Sequence, residues 1–562
     1  MKSFLFLPLA FIALTGTAHA TSYYVSDCGT GAKSQCVAGS DANAGTSPSA
    51  PWKSCAKVTQ RFPSLAMGDQ VLFARGSAQN ACKLYYLSNL KSRAANPIVL
   101  GAYTPSWAPV GTGAPILNGT DASYTLGLMN SGNSSHDEGY IVQDLRFVGT
   151  GVNSKMAAII LSNDVKNVTI QRVEIEQSKH GVHCNGGTGN PLALGSDGLT
   201  EHVVIRNSNI HHNRGMGILT GCSDTLIENN TFDNNGVSMF DHHVYLTSAK
   251  VGVAEKTVRQ VVIRGNTLTN NASYASATAV SPTPGLCSAV AIVVHGLQDG
   301  VMIENNTLSE PTVPSNGSCW GISADTGGYG HAEGFSNLTI RGNTVINYAI
   351  GIGVDMCSTC TVENNSVYSA RPASSGIVAP AKYFHAATAG NTLNNNLSIR
   401  NNTVYLKSPN YSSVGVRVSR DGASHTVASN LVYFGSGSTS ATACFNTTGL
   451  PTGSFEAFDY NLCHYSATAG KWDTTRGSLA MQQSAGLDSH STAVNPLLAT
   501  PVAPRFVGVM AGNSTALRKG HPMLSSKLSL GGFRRDVVSD IGAQQYGATV
   551  IVPSSATGMS IQ

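Results

Sequence analysis

Charge is what this chain has least of. Asp, Glu, Lys and Arg make up 12% of its 562 residues, about half the share of an ordinary globular protein. That scarcity excludes a long acidic or basic disordered tail and a coiled coil, which needs Glu, Lys, Arg and Leu in bulk. With 35 basic and 31 acidic residues the formal charge is +4, so the basic excess of a nucleic-acid binder is missing too. Aromatics stand at 7%. Past the first twenty residues no apolar run is long enough to cross a bilayer. What fills the space is Gly, 59 of them, with much Ser, Thr and Asn. The length allows three or four average domains or one large all-β body.

The N-terminus carries one Lys at position 2, an apolar run from Phe4 to Leu14 and the exit Ala18-His19-Ala20. This is the pattern of a cleavable secretory signal over residues 1–20. The reading implies a secreted or periplasmic protein, with no nucleic acid, no membrane and no second copy expected as partner. All twelve cysteines follow that leader: Cys28, Cys36, Cys55, Cys82, Cys184, Cys222, Cys287, Cys319, Cys357, Cys360, Cys444 and Cys463. An even number in an exported chain points to disulfides, and the grouping suggests pairing in sequence order. Cys357-Ser-Thr-Cys360 reads as a tight structural bridge, because no βαβ pattern surrounds it. No His/Cys spacing suggests zinc.

Repeats decide the fold. One phrase recurs as Ile205-Arg-Asn-Ser-Asn-Ile210, Ile227-Glu-Asn-Asn-Thr-Phe232, Ile263-Arg-Gly-Asn-Thr-Leu268 and Ile303-Glu-Asn-Asn-Thr-Leu308. It continues as Ile340-Arg-Gly-Asn-Thr-Val345, Val362-Glu-Asn-Asn-Ser-Val367 and Ile399-Arg-Asn-Asn-Thr-Val404. The steps from 205 to 227 and from 340 to 362 are 22 residues; longer steps read as loops inserted into that unit. A second phrase follows each first one, as in Met216-Gly-Ile-Leu219, His243-Val-Tyr-Leu246 and Trp320-Gly-Ile-Ser323. Short β-branched runs of period two between Asn/Gly turns predict an all-β solenoid, a right-handed parallel β-helix with rungs about 4.8 Å apart. Its equivalent Asn residues would stack as a ladder at one bend. The Asn-x-Thr triplets track the period and are read as rung turns.

Both ends support this. Tyr23-Tyr-Val-Ser26, Gly39-Ser-Asp-Ala-Asn-Ala-Gly-Thr46, Pro51-Trp-Lys53 and Gly68-Asp-Gln-Val-Leu-Phe73 resemble the opening of bacterial pectate-lyase-like right-handed β-helix proteins. Asn495-Pro-Leu497, Gly520-His-Pro522 and Asp540-Ile-Gly-Ala-Gln-Gln-Tyr-Gly547 resemble the closing segment of the same families. The resemblance implies a capping strand and helix within 21–120, a β-helix core over 121–440, and final rungs with a closing segment over 441–562. This fold carries lyases, epimerases, hydrolases and adhesins, so the reaction must be argued from a site.

Aligning the second phrase places Val or Ile inward in every rung. Its outward column reads His183, Leu219, Tyr245, Val293, Ser323, Gly353, Val378, Arg417. Two residues further on comes Asn185, Gly221, Thr247, His295, Asp325, Asp355. Polar and aromatic groups gather in the first six rungs. The expected catalytic set is Tyr245 or His242 as acid/base, His295 as base or carboxylate neutraliser, and Asp325 orienting His295. His180, His183, His243, Trp320, Asp241, Lys382 and Arg417 are the expected substrate contacts, with His243 equally open to an inward place, hydrogen-bonded in the solenoid wall. Phe240-Asp-His-His-Val-Tyr245 distantly resembles the Asp/His-rich motif of β-helical alginate epimerases but lacks its proline, so no roles carry over. Such a set suits β-elimination of an anionic, uronate-containing polysaccharide: a base takes the C5 proton, an acid protonates the leaving oxygen, and a cation meets the carboxylate. Epimerisation shares the first step. Hydrolysis needs paired carboxylates, which these columns do not show. No cofactor is required, and Ca²⁺ is possible through Asp325 and Asp355. A non-catalytic glycan-binding protein is the competing class. The insertions near 269–288 and 309–319 favour a walled groove over a bare fibre.

Overall fold

Each coil of the chain makes the same three-sided turn, and the repeated phrase explains it residue by residue. The computed structural model describes residues 20–130, 135–187, 198–271, 289–310, 319–327, 332–381, 394–410, 413–436, 438–467, 470–498, 512, 514–530, 534–536 and 538–546. Parallel strands stack into a base sheet of 17 strands and two sheets of 13. We call these two the ladder sheet, running from Ala78–Gln79 to Leu462–Tyr465, and the groove sheet, running from Leu84–Leu87 to Lys471–Asp473. The chain is a right-handed parallel β-helix, as its repeats predict.

In Ile303-Glu-Asn-Asn-Thr-Leu308, Ile303 and Leu308 are fully buried on the inner faces of the base and ladder sheets. Between them Asn305 turns the corner at φ +55. Asn229, Gly265, Gly342, Asn364 and Asn401 occupy the same bend with positive φ. Asn and Gly enter the left-handed region most readily, and so they share this bend. A Cβ on Gly265 would lie 2.5 Å from the Asn229 Oδ1 of the rung before it, so a side chain there would require the Asn229 amide to shift.

The next residue points inward and builds the ladder. Asn230, Asn266, Asn306, Asn343, Asn365, Asn402, Asn430 and Asn461 each donate to, or accept from, the neighbouring rung's amide at 2.9–3.2 Å. The same amides cap backbone carbonyls such as Ile227 and Ile263. A buried amide left unpaired would be costly, and stacking pairs every one of them.

The residue before the corner faces outward on the base sheet. Down the sheet it reads Arg206, Glu228, Arg264, Glu304, Arg341, Glu363, Arg400, in direct register. Arg264 meets Glu228 at 2.8 Å, Arg341 meets Glu304 at 2.7 Å and Arg400 meets Glu363 at 2.8 Å. These residues form an alternating ion column down the outside of the base sheet.

The strand Ser22–Val25 joins the base sheet beside Gln70–Ala74. The helix Cys55–Arg61, N-capped by Ser54, packs at that end and is tied to the first rung by Cys55–Cys82. At the other end the helix Leu479–Ser484 and Trp472 close the core. The closing segment runs back along the Asn/Gly bend, where Ser526 meets Asn364 and Asn401, and Arg535 donates to Asn364. Five disulfides follow sequence order: Cys28–Cys36, Cys55–Cys82, Cys184–Cys222, Cys357–Cys360 and Cys444–Cys463. Cys319 is buried, and its expected partner Cys287 lies outside the described residues, as do residues 1–19 and most of both long insertions. Among the described residues no helix is long and apolar enough to cross a membrane.

Candidate active site

The groove sheet holds the register that the sequence columns predict. His183 pairs with Leu219, Leu219 with Tyr245, Tyr245 with Val293, Val293 with Ser323, and Ser323 with Gly353. Because the inward Val and Ile of each rung are buried, a slip by one residue would expose the whole core face, so the register is firmly set. Three rings then meet on the outer face. His242 stacks on Tyr245 with centroids 5.6 Å apart, and Tyr245 lies 5.3 Å from His295.

His295 is the centre of this group. Its Nδ1 donates to the Asp325 carbonyl oxygen at 2.6 Å, which fixes the tautomer and leaves the lone pair on Nε2. The Asp325 and Glu333 carboxylates stand 3.6 and 3.5 Å from the same Nδ1, with side chains only 2% and 4% exposed. Each is held in turn. Asp325 Oδ2 accepts from the Ser323 hydroxyl at 2.7 Å, and Glu333 accepts from the Gly327 and Gly296 amides at 2.6 and 3.3 Å. A ring braced in this way can take a proton at Nε2 while two fixed carboxylates face the charge it acquires.

Asp325 thus orients His295, but through its backbone rather than through its carboxylate alone. Glu333 was missed by the column alignment, because it sits in a loop outside the strand phrases. The signal that could have found it is its rarity, as one of few acids in the Gly-rich stretch between two rungs.

The other expected contacts divide. His180 and His183 share the outer face, 6.1 Å apart. Burial, with His183 and Lys179 close by, pulls His180 down to about 3, and burial with Lys179 close by pulls His183 down to about 4; both are neutral hydrogen-bonding groups at neutral pH, and His180 Nδ1 accepts from the Met216 amide. Trp320 is half-buried in register between Val290 and Ile350. His242 is buried, its Nδ1 lying 2.9 Å from the Val290 carbonyl.

His243 corrects the expectation of a substrate contact. It is fully buried, its Nδ1 meets Asn235, and burial lowers its pKa to about 4. It replaces the glycine that most rungs carry at the start of this strand, and its ring fills the space inside the bend beside Phe232.

Asp241 serves its own turn: Oδ2 accepts from the Val237 and Ser238 amides and the Ser238 hydroxyl. Arg417 lies in the outward column next to Val378, as expected, yet it is buried and donates to the Pro380 carbonyl at 2.7 Å. It stands five rungs beyond Tyr245. Lys382 lies outside the described residues. Asp325 and Asp355, the pair considered for calcium, are both buried, and Asp355 Oδ1 accepts from the Met356 amide. Among the described residues the metal-ligand trio of closest geometry is elsewhere, at Glu201, His202 and Asp224 on the base sheet, where Lys166 already pairs with Glu201 at 2.9 Å.

Residues 152–433 match the family described as "Right handed beta helix region". A stretch of 89 residues is 40% identical to the lacto-N-biosidase of Bifidobacterium longum subsp. longum, covering 16% of this chain and 5% of that protein. The match thus spans a small fraction of that relative's length. Among solved structures, the native GH136 lacto-N-biosidase from Eubacterium ramulus is similar with a TM-score of 0.47 and 14% identity, over 72% of this chain and 68% of the other. The alginate lyase from Paenibacillus sp. str. FPU-7 is similar with a TM-score of 0.35 and 14% identity, over 72% of this chain and 95% of the other.

Proposed function

Because the chain belongs to the right-handed beta helix family, we propose that it is an exported enzyme acting on polysaccharide, with the groove sheet as its working face. Within that reading we infer a lyase that cleaves a uronate-containing chain by β-elimination. The single observation that carries it is the Tyr245–His295 pair on adjacent rungs, with Nδ1 of His295 held and its Nε2 lone pair left for chemistry.

In the proposed reaction His295 Nε2 takes the C5 proton, and Asp325 and Glu333 balance the imidazolium that results. Tyr245 gives its phenolic proton to the departing glycosidic oxygen. Electrons from the C5–H bond form the C4–C5 double bond as the C4–O bond breaks. His180 and His183, being neutral, hydrogen-bond the sugar and do not neutralise its carboxylate. Five disulfides support export, and the leader over residues 1–20 would direct it.

One observation favours a second reading. Glu333 adds a second carboxylate beside Asp325, and a pair of acids is what a glycoside hydrolase uses. The stretch shared with a lacto-N-biosidase points the same way. Incubation with alginate, polygalacturonate and neutral glycans separates the two. Rising ultraviolet absorbance from an unsaturated uronate indicates elimination. New reducing ends without that absorbance indicate hydrolysis and overturn the lyase.

A further inference from the structure

The outer face that carries Tyr245 does not begin there. In register toward the N-terminus the column reads Leu219, His183, Ile160 and Gly127. The next strand, Leu84–Leu87, is the first of the sheet, and its register shifts between Leu84 and Leu87. The shift inserts a residue, and two tyrosines, Tyr85 and Tyr86, stand between Leu84 and Leu87 where the next strand has the single residue Gly127 between Leu126 and Leu128.

Tyr86 is the unusual member. It has φ +58 and is 55% exposed. An aromatic residue in the left-handed region is rare and strained, and bulges often re-aim a side chain next to a functional face. Tyr85 lies against it with ring centroids 3.5 Å apart, and Tyr124 lies 5.6 Å from Tyr85. A Cβ on Gly127 would meet Tyr85 at 3.1 Å and Ile160 at 3.2 Å, so the glycine lets the Tyr85 ring pack down against the next rungs.

We propose that Tyr85, Tyr86 and Tyr124 form a sugar-stacking platform that holds a polysaccharide chain at the far end of the groove. This rests on the reading of the groove as a polysaccharide site. The platform is five strands from Tyr245 in the sheet, about 24 Å at about 4.8 Å per rung. A rung is close to the length of one pyranose, so a chain laid along the axis would place about five sugars between platform and acid/base pair. Apolar sugar faces pack on phenol rings while the hydroxyl edges stay wet. The occupant is therefore a polymer, and short oligosaccharides bound at Tyr245 do not reach the platform.

The test uses the whole chain with Tyr245→Phe, so that bound chains stay intact. Calorimetry is run with sodium alginate, sodium polygalacturonate and xylan, each as polymer and as trimer. Adding Tyr86→Ala should weaken binding of the polymer about tenfold, leave the trimer unaffected and leave the melting temperature unchanged. Tyr86→Trp should restore polymer binding. Equal polymer affinity with and without Tyr86→Ala overturns the platform, as does binding of none of the three polymers. If the unsubstituted chain turns over no glycan but its polymer binding depends on Tyr86, the platform stands and the proposed chemistry falls. If it turns over glycan with no dependence on Tyr86, the chemistry stands and the platform falls.

Discussion

His295 is oriented by the Asp325 carbonyl at 2.6 Å, not by the Asp325 carboxylate, which is 3.6 Å away. A backbone acceptor survives side-chain substitution. Asp325→Asn should therefore keep the ring in place and lose only charge. Both Asp325→Asn and Glu333→Gln are expected to lower kcat on the order of 10²-fold with little change in KM. Steady-state kinetics on the responsive glycan checks this, and a loss confined to KM would contradict it.

Removing the base itself should be more severe. His295→Gln and Tyr245→Phe are each expected to lower kcat by about 10²- to 10⁴-fold. Tyr245→Phe retains the ring that packs between His242 and His295, so its melting temperature should match the parent. Near-parental rates in both variants would dismiss the assignment.

The buried histidine gives a pH signature of stability. His243 is held at about 4 when folded, against an ordinary 6.5. Above the ordinary value both folded and unfolded chains carry it neutral. As pH falls from 6.5 toward 4 the unfolded chain takes up the proton and the folded one does not, so stability drops, by about 3 kcal/mol in all. Denaturant midpoints measured down this range should fall less steeply in His243→Gln than in the parent. Equal slopes would show that the ring is not buried neutral.

Fold and site were legible to different degrees, for a physical reason. A solenoid writes each inward position many times, so Ile, Val and the ladder asparagines report register redundantly. His183, Leu219 and Tyr245 could then be aligned on one face, and the structure keeps that register. A site is written once. His243 could be read either way, because nothing in a single histidine tells whether the bend has room for it inside. Arg417 was placed in the right column, but burial against Pro380 takes the reach of its guanidinium. Glu333 could not be aligned at all, since a loop has no period, and only folding brings it to His295.

The asparagine ladder should be a major element of stability. Asn306→Ala would strip partners from Asn266 and Asn343 and from the Ile263 carbonyl, all buried. A loss of about 2–4 kcal/mol is expected from unpaired buried amides and the space left behind. Chemical denaturation measures it, and Asn306→Asp should not rescue it, because an acid offers no second donor.

The alternation of Arg and Glu along the base sheet also bears on how such a chain can grow. Delete the coil bearing Arg264, and Glu228 comes to rest on Glu304; duplicate it, and arginine meets arginine. Two coils, not one, are thus the smallest piece that can be copied or lost without a clash of sign. Through this stretch the heritable module of the molecule is twice its geometric repeat.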